Sequence, residues 1–87
     1  MDIGTLRDQL DVIDGQLIEL LEKRMELCKQ IGYEKKKISK SVYDKAREEE
    51  KLDSVQKSVK NQEYSEALRG VFSCIMDESK KIQNRIM

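Results

Sequence analysis

The sequence predicts an all-α fold of three helices per chain, one long at the N-terminus and two shorter, and three observations carry that prediction. The 87 residues include no proline and only four glycines, so nothing in the chain forbids long helices. Apolar residues recur at the 4-3-4-3 spacing that keeps them on one side of a helix, first at Leu6, Leu10, Ile13, Leu17, Leu20, Leu27 and Ile31. Charged residues make up 39% of the chain, as expected of amphipathic helices with short connections. At this length, residues 1–87 form a single domain.

The first helix spans Ile3 to Lys37. Asp2 or Thr5 can cap its start, and Asp8, Asp11 and Asp14 sit toward its positive end, where the macrodipole favours them. Gly32 costs about 1 kcal/mol of helix propensity, but good helix formers surround it. Ser39, Lys40 and Ser41 break the pattern. From Leu6 to Lys35, at about 1.5 Å per residue, the helix is ~45 Å long. A compact chain of this size has a radius of gyration near ~12 Å and a diameter of roughly 30 Å. The helix therefore overhangs its own domain while its apolar stripe runs the full length, and a second copy is expected to cover it in an entwined homodimer.

Ser41 is the expected cap of a second helix from about Val42 to Lys60, with Leu52, Val55 and Val59 facing inward. Stepping back along that face by four and four gives Glu48 and Asp44, with Arg47 at its edge. The alternative is a solvated ladder of Asp44, Arg47, Glu48 and Lys51. Asn61 to Tyr64 make a short connection, and Ser65 is expected to cap a third helix whose stripe is Leu68, Phe72, Ile75, Ile82 and Ile86. Ser79 stands within that stripe and Gln83 at its margin. A core serine ordinarily bonds a backbone carbonyl one turn back.

Each stripe thus carries polar exceptions: Arg24 and Lys35 on the first helix, Asp44 and Glu48 on the second, Ser79 and Gln83 on the third. Burying an unpaired charge is costly unless an anion sits opposite. Six exceptions on three helices point to a polar pocket, cationic on one wall, that receives a small anion. The net formal charge is zero, so no long-range field attracts nucleic acid or an anionic membrane. No apolar run approaches the ~20 residues of a membrane span, and no leader segment opens the chain, so a cytoplasmic protein is expected. Cys28 and Cys74 are expected to pack as small apolar side chains. Histidine is absent, and with it the commonest metal ligand and general base. No metal and no cofactor are expected. Such a pocket would work by orienting its ligand and by stabilising charge that develops in the transition state, as a unimolecular rearrangement of a dianion requires.

Leu6-Arg7, Asp14, Leu21-Glu22-Lys23-Arg24, Ile31-Gly32 with Lys35, Val42-Tyr43-Asp44 with Arg47-Glu48, and Ser79 with Gln83 together resemble the all-helical, AroQ-type chorismate mutases. The resemblance covers essentially the whole chain. It implies an entwined homodimer with shared active sites that converts chorismate to prephenate, without cofactor, in aromatic amino-acid biosynthesis. It further implies that Arg24, and Arg7 from the partner subunit, clamp the substrate's carboxylates, with Arg47 and Ser79 completing that side. Lys35 and Gln83 would donate to the ether oxygen, and Glu48 would hold the ring hydroxyl with Asp44 near it. Spacing within one chain gives Arg7 no role, because it lies one residue off the stripe. The connection Lys36 to Ser41 lacks the proline often found in relatives, which implies a more mobile loop, and the short chain implies a freestanding, unregulated enzyme. Two alternatives stand beside the mutase: an isochorismate pyruvate lyase of the same fold, and a non-catalytic helical dimer in which Arg24 pairs with Glu48 or Asp44 across the interface.

Overall fold

The computed structural model describes residues 1–86. Its elements are α1 (Ile3–Lys37), α2 (Lys45–Ser58), one 3-10 turn (Gln62–Tyr64) and α3 (Ser65–Ile86), with no strand among the described residues.

The bounds of α1 are those its periodicity predicts. Of the two candidate caps, Asp2 is the one used: its Oδ1 accepts from the Thr5 amide at 2.8 Å, and that bond holds the carboxyl below its ordinary range. At the other end the Lys40 amide donates to the Lys35 carbonyl at 2.8 Å and the Ser39 amide to the Lys36 carbonyl at 3.2 Å. This double closure, with Ser39 left-handed at φ 55, is a Schellman ending in which serine occupies the usual glycine position. It stops α1 sharply and turns the chain back.

The second helix starts later than its sequence suggests. Asp44, not Ser41, is the N-cap, and its Oδ1 accepts from the Arg47 amide at 3.1 Å. An aspartate that reaches the third amide of the helix satisfies an otherwise orphan donor, and it leaves Val42 and Tyr43 in the connection. The helix also ends early, at Ser58, because Val59 is extended and the Gln62 amide nitrogen donates to the Val59 and Gln56 carbonyls at 2.6 and 3.1 Å. Asn61 caps the 3-10 turn through the Glu63 amide at 3.1 Å. Ser65 does not cap α3 but is its first residue, itself helical (φ −62, ψ −43), so that the turn runs directly into α3.

Helix α3 packs against both of the others. Among the described residues the buried apolar side chains are Cys28, Val55 and Met76, one from each helix. Cys74, expected to be buried, is exposed. It lies one residue from Ile75, about 100° round the helix, and lines an open groove between α1 and α3 with Leu21 and Met25. Helix α1 lies close against α3 at Gly32, where a Cβ would stand 3.3 Å from Gln83 Cγ and 3.4 Å from Gln83 Cα. Glycine here sets how deeply Gln83 is seated. Gly32→Val should therefore leave helix content intact by circular dichroism while displacing Gln83, a shift read in the NMR signals of its side-chain amide.

Half of α1 has no cover among the described residues of the chain. Leu6, Leu10, Ile13, Leu17 and Leu20 are between 45% and 61% exposed. The chain extends 54 × 24 × 15 Å with a radius of gyration of 15.9 Å, well beyond the ~12 Å of a compact chain this long.

Candidate active site

Where the C-terminal half of α1 meets α2 and α3, the three helices and the α1–α2 connection enclose an open hollow of about 490 Å³. Arg24 and Lys35 line it from α1, Asp44, Arg47 and Glu48 from the start of α2, and Ser79 and Gln83 from α3. Arg7 is not among them. It lies about 25 Å up the α1 axis from Arg24, exposed to solvent.

The side chains on the α1 and α3 walls are held to one another. Arg24 Nη1 donates to Ser79 Oγ at 2.7 Å and to Cys28 Sγ at 3.6 Å. Ser79 Oγ in turn donates to the Ile75 carbonyl at 2.8 Å, the back-bond usual for a helical serine, so its lone pairs face the guanidinium. Gln83 is buried, its Nε2 donating to the Cys28 carbonyl at 3.2 Å and its Oε1 accepting from Lys35 Nζ at 3.4 Å. Lys35 Nζ also donates to the Val42 carbonyl at 3.0 Å, fastening the connection over this end of the hollow. An ammonium has three N–H groups and an amide nitrogen two, so Lys35 and Gln83 each keep one donor for a ligand.

The electrostatic balance is lopsided. Six cations (Arg24, Lys35, Lys40, Arg47, Lys51, Lys80) and two carboxylates (Asp44, Glu48) line the hollow, in a chain whose net charge is zero. Both carboxylates are engaged, Asp44 in capping α2 and Glu48 with Lys80 at 3.1 Å. The alternative, a ladder of Asp44, Arg47, Glu48 and Lys51, is not formed among the described residues. Among the described residues, Arg24, Lys35, Lys40, Arg47 and Lys51 have no carboxylate within ion-pair distance. Five unneutralised cations around one hollow repel each other and favour an anion between them.

Lys80 is the member that periodicity misses. Its ammonium bridges Glu48 and Asp77, the latter at 3.2 Å, and lies 4.8 Å from the Tyr43 ring centroid. The Glu48 bond, helped by Asp77, raises its pKa above the ordinary lysine value. Because the folded value is the higher one, the associated stabilisation is complete below pH 10.5 and is lost only as pH climbs past the raised value. Lys80 is therefore charged throughout the neutral range. No cluster able to hold a metal ion occurs among the described residues, and no helix is long and apolar enough to cross a membrane.

Residues 6–84 match the family described as chorismate mutase type II. A 3-dehydroquinate dehydratase of Pyrobaculum aerophilum is 45% identical over 50 residues, a stretch that covers 58% of this chain and 17% of that protein. The chain thus spans about a sixth of the length of that relative.

Proposed function

The chain belongs to the type II chorismate mutase family, and from that footing we propose that it converts chorismate to prephenate by a cofactor-free Claisen rearrangement. The observation that carries the proposal is the single hollow lined by Arg24, Lys35, Arg47, Glu48, Ser79 and Gln83, rich in unneutralised cations. Chorismate carries two carboxylates, and the guanidinium groups of Arg24 and of Arg7 from a second copy are suited to hold them through paired N–H donors, with Arg47 completing that side. Fixing both carboxylates bends the enolpyruvyl arm over the ring and supplies the orientation that a pericyclic step needs. As the carbon–oxygen bond breaks, negative charge grows on the ether oxygen, and the remaining donors of Lys35 and Gln83 stabilise it. Glu48, with Asp44 near it, accepts from the ring hydroxyl. Neither a proton transfer nor a covalent intermediate is required, in keeping with a chain that has no histidine.

We place Arg7 in the site of a second copy. The uncovered stripe Leu6 to Leu20 calls for a partner, and a second α1 laid along it would bring Arg7 to the far hollow. The dehydratase name of the Pyrobaculum protein is not carried over, since the match spans 17% of that protein.

Loss of chorismate absorbance on adding the protein, with prephenate identified as product, tests the activity. Release of pyruvate from isochorismate with no reaction of chorismate would replace it with the lyase. The shared site has its own test. An inactive Arg7→Ala chain refolded with an inactive Arg24→Ala chain should recover part of the wild-type rate, because mixed dimers contain one intact site. No recovery would mean that Arg7 acts within its own subunit or not at all.

A further inference from the structure

We propose that Lys80 is a positioning residue for Glu48, holding that carboxylate in the hollow through a bridge that ties α3, α2 and the α1–α2 connection together. The proposal rests on the mutase reading above and adds to it a residue whose role comes from geometry alone. Three groups from three parts of the chain meet the Lys80 ammonium: Glu48 Oε1 of α2 at 3.1 Å, Asp77 Oδ1 of α3 at 3.2 Å, and the Tyr43 ring of the connection at 4.8 Å. The side chains of Lys80 and Glu48 are 30% and 20% exposed, so the pair is shielded more than a surface ion pair. Asp77, at 61%, is a solvated flank.

Glu48 needs such a brace. Its side chain has three rotatable torsions, and among the described residues its one ion-pair partner is Lys80 of α3. An unbraced glutamate at this position would be free to turn toward the other cations lining the hollow, Arg24, Arg47 and Lys51 among them, and so occupy the space and charge meant for the ligand. The bridge satisfies one oxygen and leaves the other to accept from a ligand hydroxyl. The Tyr43 ring face adds a third attraction on the same ammonium. The raised pKa of Lys80 agrees with this arrangement, its largest cause being the Glu48 bond.

The test combines Lys80→Met, Lys80→Arg and Glu48→Gln in the full-length protein, each verified as folded by circular dichroism. Lys80→Met should lower kcat/KM roughly ten- to hundredfold, mostly in kcat, since a misplaced group costs more in the transition state than in binding. Lys80→Arg should restore most of the loss. In a Glu48→Gln background Lys80→Met should cost little more, because the group it positions is already gone. An equal further loss there would show that the ammonium acts on the ligand directly, and an unchanged kcat/KM in Lys80→Met alone would show that Glu48 needs no brace; either overturns the proposal. A readout that needs no substrate keeps this separate from the mutase reading: NMR titration of the lysine side chains should place the Lys80 midpoint above the bulk of the lysines and bring it down in Glu48→Gln. A midpoint indifferent to Glu48→Gln would overturn the bridge whatever the protein catalyses, whereas a wild-type protein inert toward chorismate would overturn the mutase reading alone.

Discussion

Replacing Arg24 by alanine should lower turnover of chorismate by roughly 10²–10³ while leaving the helical circular dichroism signal and thermal midpoint nearly unchanged. The two halves of that expectation have separate causes. Arg24 is bonded to Ser79 Oγ and Cys28 Sγ, and Ser79 keeps its bond to the Ile75 carbonyl when the guanidinium is removed. No buried polar group is left stranded, and the mutual repulsion of the cations around the hollow is reduced. The rate, in contrast, loses a charged two-pronged contact in a partly enclosed site. Arg24→Lys should recover only a small part of it, because a point charge cannot form the paired bonds of a guanidinium. Turnover within a few-fold of wild type in Arg24→Ala would remove this residue from the mechanism.

Leu17→Asp should have an effect at least as large, by a different route. The side chain lies in the middle of the uncovered stripe and is 48% exposed in the single subunit. If a second copy packs there, two-fold symmetry places two unpaired carboxylates in an apolar interface, and burial of each costs several kcal/mol. The expected result is a monomer by analytical ultracentrifugation at micromolar concentration, with turnover close to background because each hollow lacks the other chain's Arg7. A fully active dimer would locate the interface elsewhere.

Much of this architecture is legible in the sequence, and the exceptions have physical causes. The bounds of α1 follow from an unbroken 4-3 repeat ended by polar residues, and its caps depend only on neighbours in the chain. Polar residues inside the stripes led to Arg24, Lys35, Glu48, Ser79 and Gln83, because a charge or amide on an apolar face is locally anomalous. The start of α2 is not legible because Asp44 fits both an inward face and a cap, and spacing cannot tell the two apart. Lys80 was invisible: it sits beside Ser79 at the edge of the stripe, where a lysine is ordinary, and its role exists only once α2 and Tyr43 are docked. The exposure of Cys74 is hidden from spacing for the complementary reason, that the limit of a buried face depends on how the helices dock. The uncovered half of α1 was anticipated from length alone, by setting the rise of a helix against the size of a compact chain.

The hydrogen bonds that Lys35 and Gln83 already make have a thermodynamic corollary. Both donors are immobilised by the Val42 and Cys28 carbonyls before any ligand enters, so their ordering entropy is lost once, during folding, and not again in each catalytic cycle. What the fold settles in advance, the reaction does not have to rearrange.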